Sequence, residues 1–315
     1  MNEKSELLNR KEIPELSKSI LHTLLYYDIF SYPLTPDEVY TGLNTNHVSS
    51  GDVKRELDKL CNGGLVFSKK EFYMLKNDEQ LISKRLKGNL LAEKKLHTAF
   101  RMSGIISGFP FVRSILLSGS ISKGYMEYDS DIDFFIITHP NRVWLTKLLL
   151  MLFKKIFLLN SKKNFCVNYF IDADKLEIDE KNIFTAMELT TLIPTYGPML
   201  YDKLYNKNIW IKDFYPNFPK RNPAVKNKKT GIIKTTLEKL FGGKFGDKLD
   251  DYSMAFFKKY IERKYKNFNP DELSLAFKMT KKESKHHPKF FQKRVLEELR
   301  GKIKSFEEKH NLSLS

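Results

Sequence analysis

A short apolar run, Ser114 to Leu117, meets Ser118-Gly119-Ser120, and after a polar spacer a second apolar run opens with Asp131-Ile132-Asp133 and continues from Phe134 to Ile137. Apolar runs of this length, bounded by turn residues, predict strands, and a glycine between them lets the backbone turn where a side chain would not fit. Strand alternation places Asp131 and Asp133 on one face. A chain organised around this unit must contain a sheet, so all-helical folds are excluded. Val143 to Leu159 then reads as a helix, apolar nearly all round with a lysine stripe, and Phe165 to Ile171 as a third strand. Strand, turn, strand, helix and strand thus follow one another along this stretch.

Two carboxylates on one sheet edge repel each other unless a cation lies between them, and hard oxygen ligands select Mg²⁺ or Mn²⁺. The Gly119-Ser120 turn beside them lets backbone N–H groups approach a phosphate. The stretch from Leu117 to Gly124, followed by Asp131-Ile132-Asp133, resembles the polymerase-β-like nucleotidyltransferase superfamily, in its small-molecule branch. There a strand, Gly-Ser, a spacer of this length and Asp-x-Asp in an apolar strand recur. The match covers Phe111 to Asp172, and Lys123 stands where arginine is usual. The resemblance implies an α+β fold with a mixed sheet, in which Gly119, Ser120 and Lys123 hold nucleotide phosphates and Asp131 and Asp133 bind the metals. It also implies a third carboxylate on a later strand, acting as general base. The position most like it is Asn168, an amide that cannot take a proton. Asp172, further along that strand, is the acidic alternative if the strand is short or bulged.

The flanks read differently. Residues 1–80 predict three helices and a hairpin, the order of a winged-helix module. Ile13, Leu16, Ile20 and Leu24 recur at helical spacing, Thr35-Pro36-Asp37-Glu38 is a capping box with proline at the first helical position, and Gly63-Gly64 closes a third helix. In that third helix Lys54, Arg55 and Lys59 are offset by Asp52, Glu56 and Asp58, which favours a packing role over duplex binding. Residues 81–110 predict a helical linker, 111–220 the nucleotidyltransferase domain and 221–315 a basic helical domain. The chain has 54 Lys plus Arg against 38 Asp plus Glu, a formal charge of +16, and 13 of those charges lie beyond Pro219. Leu249, Tyr252, Phe256 and Tyr260 mark one amphipathic stripe in this tail; Phe291, Val295, Leu299, Ile303 and Phe306 mark another.

Other candidates rank lower. Glu188 sits on a predicted helix beside apolar residues, where it could face the site but reads first as a capping or salt-bridge residue; His139 reads as a turn residue before Pro140, and His286-His287-Pro288 lacks partner ligands at metal spacing. Asn208 and Trp210 lie in an aromatic stretch that suggests an acceptor pocket or core. Cys61 and Cys166 fit neither a disulfide framework nor a zinc site, Met1 to Pro14 lacks the apolar run of a secretory leader, and the longest apolar stretch is too short to span a bilayer. A cytoplasmic protein is expected. The function expected is transfer of a nucleoside monophosphate from a nucleoside triphosphate to an acceptor, anionic ones included, by two-metal chemistry. The alternatives are a nucleotide-sensing, DNA-binding regulator without turnover and an RNA-modifying nucleotidyltransferase, nucleic acid not being the favoured partner.

Overall fold

The computed structural model describes residues 10–161, 163–222, 225, 231–286 and 290–314. Helices α1 (Glu15–Asp28), α2 (Pro36–Gly42) and α3 (Ser50–Asn62) precede a hairpin of β1 (Phe67–Lys69) and β2 (Phe72–Met74). Helix α2 starts where local chemistry dictates: Thr35 accepts from the Glu38 amide, Glu38 answers on the Thr35 amide, and Pro36 follows the cap. Leu34 bridges Tyr73, tying the segment before α2 to the hairpin. The long helix α4 (Glu79–Ser107) carries the chain into the central sheet.

There β3 (Val112–Ser118), the single turn α5 (Gly119–Ser122), β4 (Asp133–Thr138), α6 (Val143–Phe157) and β5 (Cys166–Asp172) follow in the expected order. Helix α7 (Ile183–Thr190), β6 (Ile193–Tyr196) and α8 (Pro198–Lys207) come next, then α9 (Ile232–Leu240), α10 (Gly243–Lys264), α11 (Pro270–Ala276), β7 (Phe277–Thr280), β8 (Glu283–His286) and α12 (Phe291–His310). The strand order is β6-β3-β4-β5-β8-β7. Only the β4/β5 pair is parallel, joined by α6 as its crossover; the other neighbours are antiparallel. The fold is α+β with a mixed six-stranded sheet.

Alternation along the strands builds two cores. Leu116, Phe135, Ile137 and Ile171 face the N-terminal helices, α7 and α12. Ile115, Leu117, Phe134, Ile136 and Phe170 face α4, α6 and Phe257 of α10. The N-terminal helices therefore share their core with one face of the sheet. On α3 each basic residue is paired within the helix, Lys54 with Asp58, Arg55 with Asp52 and Lys59 with Glu56.

Two expectations for the tail are corrected. It is not purely helical, because β7 and β8 extend the central sheet beyond β5. Their sequences are too polar to read as strands; Glu283, 2% exposed, is accommodated by Lys278 at 3.0 Å and the Tyr169 hydroxyl at 2.7 Å. On α10 the buried stripe is Gly246, Asp250, Ser253, Phe257 and Ile261, while Tyr252, Phe256 and Tyr260 are exposed. The Asp250 carboxylate fixes this rotation by accepting the Trp144 and Leu145 amides of α6, both at 2.8 Å. On α12 most of the expected stripe packs, with Val295, Leu299 and Phe306 buried and Ile303 partly so, while Phe291 is 45% exposed.

Candidate active site

Strand β3 runs apolar to Leu117 and breaks at Gly119, whose φ of +67° admits the turn into α5; Gly124, at +71°, closes it. Ser118 lies opposite Asp133, the first residue of β4. A Cβ at position 119 would lie 2.5 Å from Asp133 Oδ2, so the absent side chain is what lets the carboxyl tuck against the turn. Ser120 sits on that turn, its carbonyl accepting from the Lys123 and Tyr125 amides. Asp131 is half-buried immediately before the strand, two residues from Asp133.

Burial pushes the Asp133 carboxyl up to about 7, and the charges of Asp131 and Glu188 push the same way; the neighbouring Cys166 thiol and the charge of Lys123 act against them. Asn168 Nδ2 donates to Asp133 Oδ1 at 2.7 Å, and the Cys166 thiol donates to Asn168 Oδ1 at 3.1 Å. The same burial, with Asp133 next to it, pushes the Cys166 thiol up to about 12, so it stays protonated. Lys123 Nζ donates to Glu188 at 2.7 Å and to the Gly119 carbonyl at 3.1 Å. Helix α7 thus delivers Glu188 to the turn, and the ion pair bridges α5 to α7.

Gly119, Ser120, Lys123, Asp131, Asp133 and Asn168 are brought together; Asp172 is not. Strand β5 runs parallel to β4, so Cys166 stands beside Asp133 and Asp172 beside Thr138 at the opposite end. The register slips at Asn168, where Phe134 pairs with Val167 but Phe135 with Tyr169. That bulge breaks the alternation that would put Asn168 and Asp172 on a common face, since Val167 and Phe170 enter the same core although three residues apart. Both Asp172 oxygens serve the backbone, accepting the Asn141 and Asp174 amides at 2.7 Å. The carboxylate fastens the turn after β4.

His139 holds that same turn, its amide donating to the Phe111 carbonyl at 2.7 Å. Asn208 is 1% exposed and wholly engaged with backbone, donating to Leu176 and Leu204 and accepting from Ile178, and Trp210 Nε1 donates to it. Asn208 lines a small cavity in the core with Tyr201, Leu204, Tyr205 and Ile211. His286 packs between Tyr265 and Phe277; His287 and Pro288 lie outside the described residues. The contact of Cys166 was hidden from sequence reasoning because it belongs to an apolar segment, and only the pairing of β4 with β5 brings it to Asn168 and Asp133; Glu188, a salt-bridge candidate on its helix, is brought to Lys123 by the packing of α7.

The donor set suits a hard cation. Among the described residues no group of three or more His, Cys, Asp and Glu is arranged to hold a metal ion. A magnesium-sized ion commonly takes only one or two carboxylates, filling its shell with phosphate oxygens and water. Asp131 and Asp133 are two carboxylates that could hold such an ion, and the charge of Asp131, which adds to burial in raising the Asp133 carboxyl, is what a cation there would offset. No protein-family model, curated protein or solved structure matches the chain.

Proposed function

We propose that the protein is a divalent-metal-dependent nucleotidyltransferase. The observation that carries this reading is the contact of the Gly119 turn with Asp133, which puts a backbone turn able to face phosphate and a carboxylate able to hold a cation at one point. Mg²⁺ or Mn²⁺ bound by Asp131 and Asp133 would neutralise triphosphate charge. Gly119 and Ser120 present backbone N–H groups to the phosphates, and Lys123, already at the turn, exchanges its Glu188 partner for a phosphate oxygen. An acceptor oxygen forms a bond to the α-phosphorus, the bond from that phosphorus to the bridging oxygen breaks, and pyrophosphate leaves with the electron pair. The acceptor proton goes to Glu188, released from Lys123, because Asn168 cannot take it and Asp172 is at the far end of the sheet.

In this reading the N-terminal helices and hairpin form a winged-helix-like packing module, supported by the Leu34–Tyr73 bridge and by the paired charges of α3. The amide of Asn168 on Asp133 favours one other reading, a nucleotide sensor without turnover. One experiment separates them: pyrophosphate release from each nucleoside triphosphate with Mg²⁺ or Mn²⁺, across a panel of alcohol and phosphate acceptors. Transfer predicts metal-dependent release that Asp131→Ala and Asp133→Ala abolish. Nucleotide binding with no release by any combination assigns the sensor.

A further inference from the structure

Helix α10 carries two stripes, and only one is used in packing. The other, Phe245, Tyr252, Phe256 and Tyr260, is 57%, 73%, 58% and 49% exposed. Residues four apart on a helix stand about 6 Å apart along its axis, so Tyr252, Phe256 and Tyr260 form a ladder of rings on one face. The charged residues three or four positions from these rings are Lys248, Lys259, Arg263 and Lys264, all basic. Asp251 and Glu262 fall outside that set, and Asp250 is buried against α6. Lys264 Nζ lies 5.7 Å from the Tyr260 ring centre. Among the described residues none of the four cations has a carboxylate partner.

We propose that a single-stranded nucleic acid stacks along this face. Rings spaced by one helical turn offer successive bases a flat partner, and the cations that flank the ladder meet the phosphates. A second copy of this chain would set like charges against each other. A bilayer is a poorer fit, because the strip is only three rings long and Lys248, Lys259, Arg263 and Lys264 stand beside it. Paired bases could not stack on the rings, so duplex is disfavoured. Helices α6 and α10 run side by side in the same direction, Trp144 meeting Asp250 and Lys147 meeting Phe257. Since α6 links the end of β4 to the start of β5, α10 also points toward the sheet end where Asp133 stands. If the nucleotidyltransferase reading holds, the bound strand is the acceptor; binding itself does not rest on that reading.

The test is fluorescence anisotropy of the full chain with a labelled oligouridylate of about twelve nucleotides and the matching oligothymidylate. Binding should weaken steeply between about 50 mM and about 200 mM salt. Tyr252→Ala/Phe256→Ala/Tyr260→Ala should weaken it about tenfold or more, with an unchanged circular dichroism melt. Lys259→Glu/Arg263→Glu, which spares every ring, should weaken it and flatten the salt slope. Asp133→Ala should bind as wild type, so loss of pyrophosphate release with retained binding separates failure of the enzyme reading from failure of this one. No binding, or binding that both α10 variants retain, overturns the proposal. So does capture by phosphatidylserine vesicles, or self-association in sedimentation velocity, that depends on the three rings while the oligonucleotides fail to bind.

Discussion

Asn168 donates to Asp133 across 2.7 Å, so an amide occupies the place from which a third carboxylate would reach the turn. Replacing it with an acid tests what the site is built to hold. Asn168→Asp removes the donor and sets a second negative charge against a carboxyl that burial already disfavours in its ionised form. At pH 8 the variant should be less stable by about 1–3 kcal/mol in urea denaturation. Saturating Mg²⁺ should narrow that gap; a gap indifferent to Mg²⁺ would remove the cation from the reading.

The pH dependence follows from Asp133. Its folded-state value of about 7 lies above the ordinary 3.8. Between about pH 4 and about pH 7 the folded state therefore holds a proton that the unfolded state has released, and stability falls as pH rises through that window. Above it the contribution is flat. Asp133→Asn should remove this slope and melt higher than wild type at pH 8 while losing turnover. Mg²⁺, which competes with the proton, should raise the wild-type melting temperature more at pH 8 than at pH 5, in scanning fluorimetry.

Lys147 gives the opposite slope. It is 5% exposed, donates to Ser284 Oγ at 2.7 Å and lies among Trp144, Phe170 and Phe257, and burial pushes its ammonium down to about 7. From about pH 7 to about pH 10 the unfolded chain binds the proton that the folded chain does not, so stability rises with pH there. Lys147→Met should abolish that rise in the same melts. A variant that keeps it would place the titration elsewhere.

Two glycines with positive φ should respond differently to alanine. At Gly119 the new Cβ meets the Asp133 side chain, so Gly119→Ala should cost about 1–2 kcal/mol through the backbone and turnover through the displaced carboxylate. At Gly197 it would overlap the backbone carbonyl of Arg113 on β3, which cannot move without the strand. Gly197→Ala should therefore cost about 1–3 kcal/mol more, with no specific effect on the turnover of the molecules that remain folded. Chemical denaturation alongside activity per folded molecule checks both.

The central unit was legible because its information is local. The apolar run from Phe134 to Ile137, a glycine at a forced turn and a capping box at Thr35 are written within a few residues of the structure they produce. Gly119, Ser120, Asp131 and Asp133 could be placed together since a strand, a turn and a strand have few ways to lie side by side. Strands β7 and β8 were not legible, because Glu283 and Lys278 enter the sheet as a charge pair made only when the sheet forms.

By itself the sequence determined that a sheet exists, where its first strands turn and which two carboxylates meet there. Tertiary structure decided the rest of the site. Parallel pairing of β4 with β5 and the bulge at Asn168 carried Asp172 to the far end of the sheet and left an amide on Asp133. The docking of α7 brought Glu188 to Lys123, and Asp250 rotated α10 so that one of its two apolar stripes stayed outside. These outcomes depend on contacts between residues far apart in the chain, whose register and rotation are fixed by packing and hydrogen bonding across elements, and periodicity within one element cannot choose among them.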